Sequence, residues 1–499
     1  GAMSKNLMKD QLLKKLLLLS IGLLLFFFGN GNVHYAFATW LFPVFLLYAS
    51  RTTKPVISYA LIPILLGICS HFSFWKFIPS RPNEILYYVP FLLGTLYGFV
   101  FLIDRFLYPK INGFIASLIF PLAYTSLDYL VNLLSPLGTT GILGYSQIEF
   151  LSFSQLASLT GMWGMTFMIT WFGSIAVWCL FNFQTRKKQI KNGILIYTSI
   201  FLSIIIYGEI RLGLNNELEK VKISGIHTNE KSEDFELWGK LRNKDTIGFE
   251  KLSNQQIQKL IDKTISESEK GAKIIVWSEI SLQILKKDQD SLVNIFKSLA
   301  NQNDIYLLTN PFVINVKGKK SENKIMLFSP DGELELEHYK YGGNFLEQTR
   351  EGSKRLSKIE TQYGNLSGLI CWDADFPSIV KQIHNLKTDI LLIPASDWKE
   401  IAPLHTIIAI YRGIENGCSV VRQTRNGLSI MTDQKGNTIS SMNHFENKDW
   451  LMTGEVPKKR IWTLYPIIGD LFGWLAFLGL GILTFLALKN TAPNNTYSK

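Results

Sequence analysis

Charge is scarce in this chain of 499 residues: Asp, Glu, Lys and Arg make up 18% of it, against about 25% in ordinary soluble domains. Hydrophobic residues make up 47% and aromatics 13%, an abundance that excludes a collagen-like, low-complexity or wholly disordered chain. Cysteine is scarce too. Cys69, Cys179, Cys371 and Cys418 are scattered with no CxxC pair, so neither a disulfide framework nor a zinc site is expected. No internal repeat or low-complexity linker punctuates the sequence. The opening Gly1-Ala2-Met3 has the look of a scar left by tag removal and is set aside. Despite the shortage of charge, the net is +11, which taken alone would suggest an acidic partner such as nucleic acid. The length fits two or three domains of about 100–200 residues.

What is present in quantity is long apolar runs. Roughly 20 residues are needed to cross about 30 Å of hydrocarbon. Runs of that kind fall near 14–29, 33–50, 55–75, 86–107, 111–135, 161–183 and 193–210, with one more near 466–488. The first resembles a signal peptide's apolar region. No small-residue cleavage site follows it and further runs come directly after, so an uncleaved helix is expected. With a cytoplasmic start, 14 Lys and Arg fall in the inner segments, while the short outer loops hold only Lys76 and Arg81. That asymmetry sets orientation. Both termini are expected in the cytoplasm and the polar middle on the outer face. Arg186-Lys187-Lys188 belongs to this orientation signal, with contact to phosphate headgroups as a second reading. The expected organisation is a seven-helix transmembrane domain over 4–212, a separate domain over 217–460, and a last transmembrane helix over 466–488.

Residues 217–460 carry 34 Lys and Arg against 33 Asp and Glu. The net +11 therefore belongs almost wholly to the membrane part, where it codes for orientation, and no nucleic-acid partner is expected. Short β-branched runs at 221–226, 273–277, 305–309, 324–328, 366–370, 390–393, 419–421 and 428–431 read as buried or half-buried strands. Residues 253–270 and 291–301 have helical apolar spacing. Strands alternating with helices favour an α/β class.

Three reactive residues stand at or near the ends of these strands. Glu279 follows Ile274-Ile275-Val276-Trp277-Ser278, Lys340 closes Glu335-Leu336-Glu337-His338-Tyr339, and Cys371 ends Leu366-Ser367-Gly368-Leu369-Ile370. Strand ends in an α/β fold are where side chains from separate segments converge on one cleft. A carboxylate, an amine and a thiol together suit acyl transfer. The carboxylate takes the thiol proton, the thiolate attacks a carbonyl, and the ammonium steadies the oxyanion. Taken singly, each has a plainer reading: a strand-end cysteine is most often packing, and a lone Lys or Glu a solvated charge. Cys69, Cys179 and Cys418 take the packing reading, and His405 that of a satisfied structural histidine.

The three segments resemble the Glu–Lys–Cys signature of the nitrilase superfamily, most specifically in Cys371-Trp372-Asp373-Ala374-Asp375-Phe376-Pro377. Pro394-Ala395-Ser396-Asp397-Trp398, Arg412-Gly413-Ile414-Glu415-Asn416 and Arg422-Gln423-Thr424-Arg425-Asn426-Gly427 add to it, as does spacing of 61 residues from Glu279 to Lys340 and 31 more to Cys371. The resemblance implies an α-β-β-α sandwich. One family of that superfamily sets the domain between seven helices and one, the apolipoprotein N-acyltransferases. Gly144-Tyr145-Ser146-Gln147 and the stretch from Gln155 to Gly164 are similar to its motifs. Three details depart from the family pattern. Trp372-Asp373 stands where a Tyr-Glu pair is usual, and Pro-Trp is missing before Gly144. Tyr341-Gly342-Gly343-Asn344-Phe345-Leu346-Glu347 replaces His-Leu-x-Pro-Phe-Gly-Glu, displacing the second glutamate by one residue.

The resemblance implies Glu279 as base, Lys340 with the Trp372 backbone N–H as oxyanion donors, and Cys371 as nucleophile and acyl carrier. It offers Trp238, Glu347, Trp372, Asp373, Tyr145 and Gln147 as substrate-binding residues; for Trp238 plain packing, and for Tyr145 and Gln147 a turn at the membrane surface, are the alternatives. A membrane phospholipid would donate the acyl chain. The α-amine of a lipoprotein's N-terminal diacylglyceryl-cysteine would accept it. No metal or dissociable cofactor is required, and a monomer in a bacterial inner membrane is expected, its catalytic domain on the periplasmic face among membrane lipids. A membrane-tethered amidase or hydrolase, or a catalytically dead membrane scaffold, are the alternatives.

Overall fold

A computed structural model of the chain describes residues 2–29, 31–214, 219–228, 238–239, 242, 244–315 and 318–490, with backbone alone along 2–10. The expected domain boundary at 217 lies outside these residues, as do Lys499 and the side chains of Lys5 and Lys9. The chain divides into two compact units. One comprises Gly1–Leu134, Gly141–Gly213 and Ile468–Lys499; the other comprises Ser135–Thr140 and Leu214–Ile467.

The first unit is helical. Hydrocarbon offers no partner for backbone N–H and C=O groups, so a long apolar run satisfies them internally as a helix. Among the described residues, six helices are long and apolar enough to cross a membrane: Pro55–Ser73, Ile85–Lys110, Phe114–Leu134, Met162–Asn182, Lys187–Gly213 and Leu471–Lys489, the second and third of these including short 3-10 turns. The chain is a multi-pass membrane protein. The two other expected runs form the helix Ala2–Phe27 and the helix Ala36–Thr52, the latter 17 residues long. The helix expected near 193–210 begins earlier, at Lys187, so Lys187, Lys188 and Lys191 ride on its first turns.

Helices in this unit meet through small residues, as apolar spans do when water supplies no driving force between them. A Cβ at Gly98 would stand 2.4 Å from the Cα of Pro63, so only glycine lets those two helices approach so closely. Arg51 and Asp104 are buried as a two-pronged pair at 2.8 Å, with the guanidinium 3.5 Å over the Tyr108 ring. Pairing is what allows two charges to leave water. Trp474, Leu478, Ile482 and Phe485 are exposed along Leu471–Lys489, an apolar surface that suits lipid rather than water.

The second unit is built on two sheets. In the first, the order is Leu451–Pro457, Lys220–Ile226, Ile274–Trp277, Tyr306–Thr309, Glu322–Phe328, Pro311–Ile314 and Leu282–Leu285, with Leu334–Tyr339 also pairing on Glu322–Phe328. In the second, the order is Thr438–Asn443, Leu428–Thr432, Ser419–Arg425, Ile390–Ser396, Gly364–Gly368 and Ile359–Thr361. The central three strands of each sheet's core run parallel, Lys220–Ile226 through Tyr306–Thr309 in one and Gly364–Gly368 through Ser419–Arg425 in the other. Strands buried on both faces read as near-continuous apolar runs, as Ile274-Ile275-Val276-Trp277 and Ile390-Leu391-Leu392-Ile393 do.

Side chains from the two sheets share one core: Ile223, Val276, Leu308 and Ile325 from the first, and Leu366, Leu392, Val421 and Met431 from the second. The helices Thr246–Glu269 and Gln289–Gln302 cover the outer face of the first sheet through Phe249, Leu260, Phe296 and Leu299. The helix Ala402–Asn416 lies against the outer face of the second, where Ala409 packs with Leu391, Ile393 and Val420. The result is a four-layer α-β-β-α sandwich.

Five strands have no counterpart among those read from sequence: Leu282–Leu285, Pro311–Ile314, Ile359–Thr361, Thr438–Asn443 and Leu451–Pro457. Each is short or polar, and the last carries glycine and proline, so none shows a sustained apolar period. Their ladders come from tertiary pairing. One boundary difference bears on function. The strand expected to end at Cys371 stops at Gly368, and Cys371 instead opens a 3-10 turn, Cys371–Asp375.

Candidate active site

Glu279 leaves the end of Ile274–Trp277, and its backbone N–H donates to the Ala395 carbonyl of the opposite sheet at 3.3 Å. Lys340 follows Leu334–Tyr339, its N–H donating to the Asn323 carbonyl at 2.9 Å. Cys371 stands at φ +44°, in left-handed backbone that a β-carbon disfavours. All three side chains are buried.

The Lys340 ammonium donates to Glu279 Oε1 at 2.7 Å and also to Glu347 Oε1. Asn323 Nδ2 donates to the same Glu279 oxygen at 2.7 Å and to Glu347 Oε2 at 3.2 Å. Asn323 is itself held by Asn310, whose Nδ2 donates to its Oδ1 at 2.9 Å. Glu279 Oε2 is buried and takes no hydrogen bond among the described residues. It is therefore the oxygen left to receive a proton. The Cys371 thiol donates to the Ser396 carbonyl, 3.8 Å away, and Arg425 Nε donates to the hydroxyl of that same serine at 2.8 Å.

Charge at the site is balanced by these contacts. Burial pushes the Cys371 thiol well above its ordinary value, the Glu279 charge adds to that, and Lys340 and Arg422 oppose it. Burial works against the Lys340 ammonium, but Glu279, Glu347 and Cys371 outweigh it and hold the pKa well above the ordinary lysine value. Burial raises the Glu347 carboxyl, with Lys340 opposing. The resting state is thus a neutral thiol beside a fixed ammonium. Such a thiol needs a base to become nucleophilic.

A second buried network lies behind the thiol. Asp397 accepts from Arg422 Nη1 and Nη2, both at 2.8 Å. Burial alone would raise this carboxyl, but Arg422 and His405 overcome it and hold it at about 2. Cys371, Asp397 and His405 offer a sulfur, an oxygen and a nitrogen within 4.8 Å of one another, a donor set that zinc can use. Both Asp397 oxygens are already taken by Arg422, and a metal ion there would sit against a buried guanidinium. The geometry favours an ion-paired support for the thiol.

The other residues singled out from sequence fall in different places. Trp372 is buried, its ring edge-on to those of Phe345 at 5.7 Å and His405 at 4.9 Å. Asp373 is fully buried, and its carboxylate accepts from the backbone N–H groups of Ile370, Tyr341 and Gly342 at 2.6–3.0 Å, with His338 Nε2 at 3.0 Å. Those bonds occupy it in joining the Lys340 loop to the Cys371 turn, and leave little for the substrate contact expected of it. Trp238 packs edge-on to Phe249 at 5.9 Å within the core under the first sheet's outer face. Tyr145 and Gln147 belong to the helical unit, buried in the 3-10 turn Leu143–Gln147. There Gln147 accepts from Trp40 Nε1 at 2.9 Å and donates to Thr39 Oγ1 at 2.7 Å, so it serves that unit's own packing.

Asn310 and Asn323 carry no signal in the sequence, and neither do the roles of Asp397 and Arg422. An asparagine in a strand carries no signal of its own; only the facing Glu279 and Glu347 give Asn323 its role. Replacing Asn323 with alanine is expected to lower turnover about 10- to 100-fold, the loss typical of a hydrogen bond to a charged group. Steady-state rates beside a thermal melt check this, and an unchanged rate would contradict it.

Residues 250–463 match the carbon-nitrogen hydrolase family, so the sandwich unit is a carbon-nitrogen hydrolase domain, the nitrilase class. Over more of its length the chain is similar to apolipoprotein N-acyltransferases. It is 24% identical over 402 residues to apolipoprotein N-acyltransferase 2 of Treponema denticola, covering 70% of this chain and 72% of that one. It is 24% identical over 514 residues to apolipoprotein N-acyltransferase 1 of the same organism, covering 90% of this chain and 91% of that one. The apolipoprotein N-acyltransferase of Geobacter metallireducens is 21% identical over 399 residues, 74% of each chain. The chain is a homologue of these proteins, and the longest of the three alignments takes in both units. Among solved structures, an amidase from Nesterenkonia sp. aligns with a TM-score of 0.40 and 16% identity, over 50% of this chain and 94% of the amidase.

Proposed function

We propose that this protein transfers an acyl chain from a membrane phospholipid to the α-amine of the N-terminal diacylglyceryl-cysteine of apolipoproteins, through a thioester on Cys371. What supports the reading is the Lys340–Glu279 ion pair with the buried Cys371 thiol in electrostatic contact with both, in a chain whose other unit consists of apolar helices. Glu279 takes the thiol proton as Cys371 attacks the phospholipid's ester carbonyl. Lys340, with the Trp372 backbone N–H, steadies the tetrahedral oxyanion. The lysophospholipid leaves as the alcohol, taking that proton from Glu279, and Cys371 keeps the acyl group. The acceptor amine then attacks the thioester, the acyl group moves to nitrogen, and the thiol is regenerated.

Both substrates are lipid-anchored, and a chain that carries its own membrane helices suits substrates that stay in the bilayer. The reading includes eight spans, domains at 4–212, 217–460 and 466–488, cytoplasmic termini, and a catalytic domain on the periplasmic face of a bacterial inner membrane. The charge asymmetry of the short loops supports that orientation.

The test is to incubate purified protein with phospholipid and look by mass spectrometry for an acyl adduct on Cys371. Addition of a diacylglyceryl peptide should discharge the adduct and yield N-acylated peptide. An unmodified Cys371, or free fatty acid without acylated peptide, would overturn the reading; the second outcome identifies a hydrolase.

A further inference from the structure

The turn that carries Cys371 is held at both ends. A non-glycine residue at φ +44° persists only where its surroundings over-determine it. At the near end, Asp373 binds the N–H groups of Ile370, Tyr341 and Gly342. At the far end, Asp375 is gripped by a segment distant in sequence. The Asp375 carbonyl accepts from the Thr139 N–H at 2.8 Å and the Thr139 hydroxyl at 2.9 Å. Its carboxylate Oδ2 accepts from the Thr140 hydroxyl at 2.6 Å. Gly138, at φ +61°, makes the approach possible, since a Cβ there would lie 2.3 Å from the Asp375 carbonyl oxygen.

Asp375 in turn faces the network behind the thiol. His405 Nε2 stands 3.6 Å from Asp375 Oδ2, and His405 Nδ1 stands 3.7 Å from Asp397 Oδ1. The same ring meets the Trp372 ring at 4.9 Å. Asp397 is clasped by Arg422. A continuous chain of contacts therefore runs from the half-buried Thr140 hydroxyl through the buried Asp375 and His405 to Asp397, within 4.8 Å of the Cys371 sulfur. Thr139 and Thr140 lie more than a hundred residues before the hydrolase match begins at 250. Their six-residue segment, Ser135–Thr140, belongs to the sandwich unit although the chain on both sides of it belongs to the helical unit.

We propose that Thr139 and Thr140 are positioning residues for Cys371, acting through Asp375 on the turn and on His405. The proposal rests on the reading of Cys371 as nucleophile. It makes a segment between two membrane helices part of the apparatus that aims the thiol. The two contacts divide the work. Thr139 fixes the backbone of the turn's last residue, and Thr140 fixes the carboxylate that His405 faces.

The experiment compares Thr140→Val, the double variant Thr139→Val/Thr140→Val, and Thr140→Ser in the full-length protein. Valine keeps the shape and removes the hydroxyl; serine restores it. Three quantities are read: alkylation of Cys371 by iodoacetamide against pH, mapped by mass spectrometry; kcat and KM for acyl transfer; and the thermal midpoint. In the valine variants kcat should fall about 10- to 100-fold, as for loss of a hydrogen bond to a charged group, with KM nearly constant. Alkylation of Cys371 at neutral pH should slow about tenfold, its profile moving to higher pH as the thiol drifts from Lys340 and Arg422, the two charges that oppose its rise. Serine should bring both back near wild type.

Valine variants with wild-type kcat and alkylation would overturn the proposal. So would a serine variant no better than valine whose loss tracks a fall in thermal midpoint, because that is the mark of a merely structural contact. Alkylation reports on the thiol without acyl transfer. Failure of the acyl-transfer reading itself would show separately, as transfer that survives in Cys371→Ala.

Discussion

Cys371→Ala is expected to leave the protein folded and inserted while removing the acyl adduct and at least about 10⁴-fold of the transfer rate, as loss of a covalent nucleophile does elsewhere. The sulfur is small and sits at the edge of the core with Ile370, Ile390 and Leu392. Its removal opens a gap no larger than a methyl group, costing about 1 kcal/mol. Alanine meets the same left-handed strain as cysteine at φ +44°, so the backbone cost is unchanged. Stability and rate therefore separate, and a normal thermal melt beside an absent adduct is the expected pair of results. Cys418→Ala is the control. That thiol is buried with Leu391 and Val420 on the other side of the second sheet, where burial pushes its pKa up to about 12. Its loss should cost some stability and no chemistry. Transfer at the wild-type rate in Cys371→Ala would end the thioester mechanism.

Much of this architecture is legible in the amino-acid sequence because its signals are local. A run such as Ile390-Leu391-Leu392-Ile393 states that it is buried on both faces, and a run such as Leu471-Phe472-Gly473-Trp474-Leu475-Ala476-Phe477 states that it meets lipid. Charge balance also divides by region, so the polar unit and the apolar helices separate by composition alone. Glu279, Lys340 and Cys371 can be picked out because each stands beside a strand signature, and the structure sets Glu279 and Lys340 2.7 Å apart.

What is not legible depends on partners far away in the chain. Asp373 looks like a substrate contact until the N–H groups of Tyr341 and Gly342 are seen to use its carboxylate. His405 reads as a structural histidine from its helix, and nothing local places it between Asp375 and Asp397. The exit of Cys371 from its strand into left-handed backbone is set by both grips on the 371–375 turn. Thr139 and Thr140 sit in a loop between apolar runs, where a pair of threonines carries no signal at all.

Lys340→Met should show why a buried ammonium is needed in this site. Lys340 is the shared partner of Glu279 and Glu347, and methionine fills a similar volume without the charge. Two effects follow. The oxyanion loses its cationic donor, worth about 10²–10³-fold in rate. The two carboxylates are left buried without their cation, and breaking such a pair costs about 3–5 kcal/mol. That second cost depends on pH. Burial already raises the Glu347 carboxyl in the native protein, with Lys340 opposing, so removing Lys340 raises it further. A carboxyl whose folded pKa lies above its unfolded value binds more protons in the folded state. Stability from such a group is present at low pH and is lost as pH rises from the unfolded value, about 4.3, through the raised folded value. The variant should therefore melt higher near pH 5 than near pH 8, by a wider margin than the parent protein. Lys340→Met/Glu347→Gln removes one of the two stranded charges and should recover most of the lost stability at pH 8 with none of the activity. A double variant that regained transfer would show that Lys340 serves only to balance charge, and would remove it from the oxyanion site.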